Sequence, residues 1–315
     1  MTHVTLKSSG LELVLDPSFG ADILSIKTIK TDQEILLKTP WADRAEEVIS
    51  GQQTPFSLDP IAHWMEHYRG GWQLICPNAG PPREVHGAAV GFHGEASISV
   101  WKIIESKPES IRIQLDLVSV PIRIERMISL NENEFLVVDV ITNLSTLELE
   151  FDYSSHPAFG GSLLDGEVLI ETSAKKFTLD DESESPHGPS GSSHQWPLIK
   201  GENGKRLDLS HVPPNGTQLG VFGWLSEFDG SKWYRISNME KKLSFEMQWE
   251  SEYLEFAWFW LEFNNLQGFP WFGRVRTFAI EPSSTQTSGK SRKSILLLEP
   301  HQVTEIKQRG IVKFL

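Results

Sequence analysis

The sequence predicts an all-β protein built as an antiparallel sandwich or barrel. Short segments of alternating apolar and polar residues recur along its 315 residues, and glycine, proline, asparagine and aspartate separate them. Strands at this spacing, joined by tight turns, are typical of sandwiches and barrels. Eleven tryptophans and seventeen phenylalanines fit the same class, because aromatic side chains favour sheets. No segment shows a convincing amphipathic helix pattern.

The predicted strands follow one another along the whole chain. Each combines period-two alternation or a short apolar run with turn residues at its ends. They cover residues 5–16 (two segments), 23–29, 35–38, 72–76, 97–104, 110–118, 121–130, 135–143, 147–153, 168–177, 219–225, 233–237, 243–249, 254–263, 274–281, 295–299 and 303–314. Residues 42–60 are polar and predict a loop with a short helix. Residues 180–197 predict a long polar loop within a single domain spanning 1–315, because strand patterning resumes after it.

The composition excludes several classes of function. A net charge of −13 and a pI near 5.3 argue against nucleic-acid binding and against attachment to anionic membranes. Cys76 is the only cysteine, which excludes an intrachain disulfide and a cysteine-rich metal site. The N-terminal residues form no apolar signal core, and no apolar run approaches the ~18 residues of a membrane helix. We therefore expect a cytoplasmic protein.

Two residue–proline pairs place chemically active side chains where strands are expected to end. His156 and Glu281 each precede a proline at the end of a predicted strand. A histidine and a carboxylate directed into one concave surface can deliver one proton and remove another. Each also has a simpler explanation, as a partly buried histidine and as a surface carboxylate. Glu299 shows the same Glu-Pro pattern, so the pattern alone does not identify a base.

Further residues are candidates for ligand binding. His86 and His93 each precede a glycine, which allows close approach of backbone or ligand. Arg69 precedes a predicted buried strand and can bond sugar hydroxyls through its several donors, although pairing with a neighbouring glutamate explains it equally well. Trp258 and Trp260 share one strand face by period two. Tryptophan is a flat apolar platform with one polar edge, which suits the C–H faces of sugars.

Several motifs, in order, resemble the aldose 1-epimerase (galactose mutarotase-like) family. They are GADILSIK, GGWQLICPNAG, GFHGEAS, ITNLS followed by FDYSSHPAFG, FAWFWLEF followed by GFPWFGR, and FAIEPSS. Each motif alone is loose, but the ordered set spans most of the chain and is more specific. The resemblance implies a large antiparallel β-sandwich, the galactose mutarotase-like supersandwich, in agreement with the strand pattern.

The resemblance also implies a role for each candidate residue. Glu281 corresponds to the general base that takes the proton of the anomeric hydroxyl, and His156 to the general acid that protonates the ring oxygen. His93 corresponds to the histidine that binds the ring oxygen or a neighbouring hydroxyl, with His86 as the competing assignment. Three tryptophans would shape the pocket by stacking, namely Trp258, Trp260 and Trp271.

The implied reaction is the interconversion of the α and β anomers of a small-molecule sugar by ring opening and reclosure. It needs only proton transfer, so neither a cofactor nor a metal is expected. The alternative function is a non-catalytic carbohydrate-binding protein on the same fold. Glu299 remains a second candidate base. The sequence leaves open which sugar binds, whether it is phosphorylated, and whether the chain forms a homodimer.

Overall fold

The computed structural model describes residues 3–201, 204, 206–289 and 292–315, and consists mainly of β-strands. The first strands are β1 (Val4–Lys7), β2 (Leu11–Asp16), β3 (Asp22–Thr28), β4 (Trp72–Ile75), β5 (Arg83–Val85), β6 (Ala88–Val90), β7 (Lys102–Lys107), β8 (Ser110–Asp116), β9 (Ile122–Asn131), β10 (Glu134–Asn143), β11 (Leu149–Glu150) and β12 (Ser154–Phe159). They are followed by β13 (Val168–Thr172), β14 (Ala174–Leu179), β15 (Ser193–Gln195), β16 (Leu198–Lys200), β17 (Arg206–Asp208), β18 (His211–Val212), β19 (Leu219–Phe228), β20 (Lys232–Asn238), β21 (Leu243–Glu250), β22 (Phe256–Phe263), β23 (Arg276–Ser283), β24 (Leu297–Leu298) and β25 (Val303–Phe314). Helices α1 (Ala42–Ile49) and α2 (Pro60–His67) lie between β3 and β4, and 3₁₀ turns lie at Ala96–Ile98 and Gly161–Leu164.

Two large antiparallel sheets face each other. One has ten strands in the order β1-β2-β3-β4-β12-β23-β22-β19-β14-β15, and the other has nine in the order β18-β13-β20-β21-β25-β10-β9-β8-β7. Trp72 of the first sheet packs on Phe135 of the second with ring centroids 5.8 Å apart, and Phe159 packs on Phe245 at 5.1 Å. The prediction of an all-β antiparallel sandwich is confirmed.

Period-two alternation supplies the core between the sheets. In β9, Ile122, Ile124, Ile128 and Leu130 are buried, and the odd-numbered residues between them are partly or fully exposed. Arg126 shares the buried face and pairs there with Asp139 of β10. Burying each such side chain stabilises the fold by about 1.5–3 kcal/mol relative to leaving it exposed. The sequence pattern therefore indicates which face of each sheet is buried in the core. The outer face of the ten-stranded sheet lies outside this core and can carry polar and titratable residues.

Helix α2 covers part of that outer face, and the sequence pattern missed it. Asp59 caps the helix, accepting hydrogen bonds from the N–H groups of Ile61 and Ala62 at 3.0 and 2.9 Å, and Pro60 begins its first turn. Trp64 packs from α2 into a cluster on the outer face. An eight-residue helix is too short to show a repeating amphipathic pattern. In the described chain, neither α-helix is long and apolar enough to cross a membrane.

Other expectations hold with local changes. The short helix expected within residues 42–60 is α1. Residues 180–197 form the expected loop, except that β15 pairs with β14 near its end. The strand expected at 97–104 begins instead with a 3₁₀ turn, and β7 starts only at Lys102.

Candidate active site

His156 and Glu281 lie opposite each other on neighbouring strands of the ten-stranded sheet. β12 and β23 pair two residues before and two residues after His156, a register that sets Glu281 directly across from it. Both side chains point to the outer face, because Phe159 and Ile280, of opposite parity, lie in the inner core. Nε2 of His156 and Oε1 of Glu281 are 3.6 Å apart. The fold therefore brings the two residues side by side.

The prolines that follow these residues lie inside strands, so the expectation that both strands end there is wrong. Pro157 lies within β12 and Pro282 within β23. Proline has no N–H to donate to a ladder, and the pairing of β12 with β23 is interrupted at the three positions around His156. Each proline still lies opposite a residue on its other neighbouring strand, Trp72 for Pro157 and Ala257 for Pro282. The strands continue because their other edges hold them.

The pair is almost completely buried, with 6% of His156 and 2% of Glu281 exposed. Burial disfavours the charged form of each group, so it raises the pKa of Glu281 well above its usual range and lowers the pKa of His156 to about 4. Oε2 of Glu281 has no hydrogen-bond partner among the described residues. Burial thus favours the protonated form of Glu281 and the neutral form of His156.

Gln73, which the sequence did not indicate, orients His156. Its Nε2 donates to the carbonyl of Gly70 at 2.7 Å, which turns its Oε1 toward Nδ1 of His156 at 3.3 Å. Since an amide oxygen only accepts, Nδ1 of His156 carries a proton. Nε2 of His156 is therefore the nitrogen without a fixed proton, and it is the one that faces Glu281.

His93 presents a neutral imidazole to the same cavity. The N–H of Gly80 donates to Nδ1 of His93 at 3.2 Å, so the proton of the neutral ring is on Nε2. Burial, together with His156 and Arg292, lowers the pKa of His93 well below its usual range. The following Gly94 has φ +78°, and a Cβ there would lie 2.4 Å from the carbonyl oxygen of Cys76. Glycine is thus required for the close approach that seats His93.

The competing residues lie outside the cavity. His86 is exposed and donates to the carbonyl of Glu150 at 2.8 Å. Glu299 is exposed beyond the end of β24. Neither residue contributes to the cavity wall that contains His93 and Glu281.

The three predicted tryptophans line the cavity beside the His156–Glu281 pair. Trp260 is tilted against His156 with ring centroids 5.8 Å apart, and it meets Trp271 edge-on at 5.4 Å. Trp258 lies opposite Glu281 on β22, and its Nε1 donates to the carbonyl of Thr285 at 2.8 Å. These rings provide flat apolar walls next to the titratable pair.

Tyr68 is a further cavity residue that the sequence analysis missed. Its ring lies edge-on to His156 with centroids 6.1 Å apart, and it stacks on Trp64 at 4.9 Å. Tyr68 is buried, and within the described part of the chain its O–H has no partner. Burial and the nearby Glu281 raise the pKa of Tyr68 well above its usual range, so the phenol remains a donor. The Asp59-Pro60 pair is a helix-start signal that could have located α2, and Tyr68 is the residue directly after that helix.

Arg69 does not reach the cavity, which corrects the expectation that it binds the ligand. Its Nη1 lies 2.7 Å from Asp16 and 3.0 Å from Glu46, and its Nη2 lies 3.2 Å from Asp22. Three carboxylates thus take up a guanidinium group that is 3% exposed. The alternative pairing with Glu66 is also wrong, since Glu66 pairs with another arginine at 3.3 Å.

The cavity has a volume of about 630 Å³ and runs along the outer face of the ten-stranded sheet. Its described wall contains Glu184, Glu262 and Glu281 but no lysine or arginine. Residues 183–187 of the long polar loop also belong to this wall. Among the described residues, no three His, Cys, Asp or Glu side chains are grouped so as to hold a metal ion.

The arrangement of two facing antiparallel sheets is shared with solved structures of galactose mutarotase-like proteins. The Slr1438 protein of Synechocystis sp. PCC 6803 matches 100% of this chain and 96% of its own, with 17% identity and a TM-score of 0.69. A galactose mutarotase related enzyme from Lactobacillus acidophilus matches 99% and 97%, with 13% identity and a TM-score of 0.66. The GalM/aldose epimerase homologue of C. elegans matches 100% and 99%, with 12% identity and a TM-score of 0.67.

The chain therefore has the galactose mutarotase-like fold. Identities of 12–17% show the fold alone and leave the activity to be argued from the residues of this chain. No protein-family model matches the sequence, and a search of curated proteins gave no match.

Proposed function

We propose that this chain is an isomerase of the aldose 1-epimerase type, which interconverts the α and β anomers of a neutral sugar. The observation that carries the proposal is a histidine and a carboxylate, 3.6 Å apart, in the wall of a buried aromatic cavity. Ring opening removes a proton from O1 and delivers one to O5. Both oxygens are bonded to C1, so two catalytic groups that lie side by side can serve both atoms.

The reaction starts with Glu281 ionised and with His156 carrying a proton on Nε2 in addition to the one on Nδ1. The Glu281 carboxylate takes the proton of O1–H, the C1–O5 bond breaks, and Nε2 of His156 gives its proton to O5. The products are the open-chain aldehyde, a protonated Glu281 and a neutral His156. Rotation about the C1–C2 bond exposes the other face of the aldehyde, and the reverse transfers close the ring as the opposite anomer.

Burial sets the resting state of the pair. The raised pKa of Glu281 and the lowered pKa of His156 favour protonated Glu281 beside neutral His156 in the empty cavity. A sugar hydroxyl that donates to the unpartnered Oε2 stabilises the carboxylate form, because a hydrogen bond to the charged form favours it. Substrate binding thus moves the shared proton toward His156, where the reaction requires it.

Two further donors support the opening ring. The Tyr68 O–H is buried beside Glu281 and donates to O1, which becomes a carbonyl oxygen as the ring opens. Nε2–H of His93 donates to the ring oxygen or to a neighbouring hydroxyl. Trp260 and Trp271 stack on the C–H face of the sugar.

The charge of the cavity favours an unphosphorylated sugar. A phosphate group carries about −1.5 to −2 at pH 7 and is usually bound by arginine, lysine or a helix N-terminus. The described wall has three glutamates and neither lysine nor arginine. Repulsion between these glutamates and a phosphate group, and the lack of a basic side chain in the described wall to bind it, both disfavour a hexose phosphate.

The test combines anomer exchange with binding. We expect the protein to accelerate the mutarotation of freshly dissolved α-D-glucose or α-D-galactose in a polarimeter, and to act more slowly on glucose 6-phosphate. Calorimetric binding without acceleration would instead support the non-catalytic carbohydrate-binding protein. A faster reaction with the phosphate ester would refute the neutral-sugar assignment.

A further inference from the structure

The cavity extends well beyond the His156–Glu281 pair. Trp258 lies opposite Glu281, and Trp260, two residues along β22, lies opposite Phe222 of β19. Gly220 lies two residues beyond Phe222 and also lines the cavity. At about 3.3 Å per residue and about 4.8 Å per strand, Gly220 is roughly 13 Å along the sheet and 10 Å across it from Glu281. One sugar ring cannot span this distance.

The far end of the cavity differs in character from the end at Glu281. Gln218 and Asn265 line it with exposed side chains, whereas Glu281 is buried. His187 of the long polar loop donates from Nε2 to the carbonyl of Gly220 at 3.0 Å and so closes one side. The amide of Asn265 lies over Gly220, where a Cβ would meet its Nδ2 at 2.3 Å. The cavity is thus closed and aromatic at one end, and open and rich in amides at the other.

We infer that the preferred substrate is a neutral disaccharide, or a longer saccharide, with a free reducing end; this inference rests on the proposed function. The reducing ring lies at His156 and Glu281, because only a ring with a free anomeric hydroxyl can open. The second unit, attached through another oxygen of that ring, lies at the far end. Its hydroxyls meet the amides of Gln218 and Asn265, and its C–H face meets Phe222.

The volume and charge agree with such a ligand. About 630 Å³ falls within the ~300–1,000 Å³ of pockets that hold drug-sized ligands, and exceeds what a single pyranose fills. Amides offer both donors and acceptors, as a ring of hydroxyls requires. Glu184 and Glu262 in the wall, with no described lysine or arginine there, disfavour an acidic second unit.

The experiment compares kcat/KM for mutarotation of glucose, maltose, cellobiose and lactose. It uses the wild type, the double variant Gln218→Ala/Asn265→Ala, and Asn131→Ala as a matched control, an exposed amide at the end of β9. We expect at least one disaccharide to exceed glucose by about tenfold in the wild type and the control. The double variant should lower that ratio about tenfold, since each lost hydrogen bond to a ligand weakens binding several-fold.

The outcomes distinguish the proposed mutarotase activity from the inference of an extended substrate. Acceleration of glucose without any gain for a disaccharide overturns the extended-substrate inference and leaves the proposed function standing. A disaccharide gain that persists unchanged in the double variant also overturns the far-end assignment. Failure to accelerate any of the sugars, in a folded sample, overturns the proposed function and the inference with it.

Discussion

Nε2 of His156 and Oε1 of Glu281 lie 3.6 Å apart on facing positions of neighbouring antiparallel strands. Burial acts on the two groups in opposite directions, raising the pKa of Glu281 and lowering that of His156. Burial therefore favours a protonated Glu281 beside a neutral His156, and in the proposed function a sugar that hydrogen-bonds to the carboxylate moves that proton toward His156. The register of the two strands, more than either side chain alone, makes the site capable of acid–base chemistry.

Replacing His156 by Asn should remove part of the acid sensitivity of the fold. The pKa of His156 is about 4 in the folded chain and 6.5 ordinarily, so the unfolded chain takes up a proton first as pH falls. As the pH falls from 6.5 to 4, protonation of this one histidine in the unfolded chain therefore lowers the free energy of unfolding of the wild type by about 2–3 kcal/mol. Urea unfolding at pH 7.5 and 4.5 measures the difference, and identical pH dependence in the two proteins would refute the buried neutral histidine.

Replacing Tyr68 by Phe should lower kcat/KM about tenfold without destabilising the chain. The lost O–H is a donor to the sugar, and one hydrogen bond contributes about 0.5–1.5 kcal/mol. The same O–H has no partner in the described protein, so its removal leaves no buried group unsatisfied. Steady-state polarimetry and thermal unfolding test this pair of effects. A lower Tm with unchanged kcat/KM would show that Tyr68 is only structural.

Replacing Arg69 by Met should destabilise the chain by about 3–5 kcal/mol, because it leaves the buried Asp16 and Asp22 without their partner. The fraction that remains folded should keep its KM, since Arg69 lies outside the cavity. Denaturant unfolding measures the loss of stability, and initial mutarotation rates measure the KM. A raised KM with unchanged stability would return Arg69 to the binding site.

The strands could be predicted from sequence because alternation is a local pattern. His156 and Glu281 were singled out by the resemblance to a known family, and their facing positions depend on the register of β12 and β23. Alternation indicates which strand face is buried, and the ordered motifs indicate where the histidine and glutamate lie. Arg69 could not be assigned correctly, because its partners Asp16 and Asp22 are 53 and 47 residues away in the chain. An arginine before a buried strand looks the same whether it binds a ligand or a distant carboxylate.

The positions of the two prolines, and the residues that reach the cavity from outside the sheet, were harder to predict from sequence. Proline normally marks the end or the edge of a strand, yet Pro157 and Pro282 lie in central strands that are held from their other sides. Tyr68 reaches the site from the position directly after the short helix α2, and residues 183–187 reach it from a polar loop. Their arrival at one cavity depends on long-range packing that no local pattern encodes.

The most direct test compares Glu281→Gln with Glu299→Gln in a polarimeter, using fresh α-D-glucose and α-D-galactose. Both glutamates precede a proline, but Glu281 lies in the cavity and Glu299 is exposed outside it. We expect wild type and Glu299→Gln to accelerate mutarotation equally, and Glu281→Gln to lose a factor of about 10²–10⁴. Glu281→Gln should remain folded and gain stability at pH 7. Burial raises the pKa of Glu281 in the folded chain, so above pH 4.5, where the unfolded chain ionises this group, Glu281 lowers the free energy of unfolding; glutamine does not ionise. Equal acceleration by wild type and Glu281→Gln would contradict the assignment of Glu281 as the base.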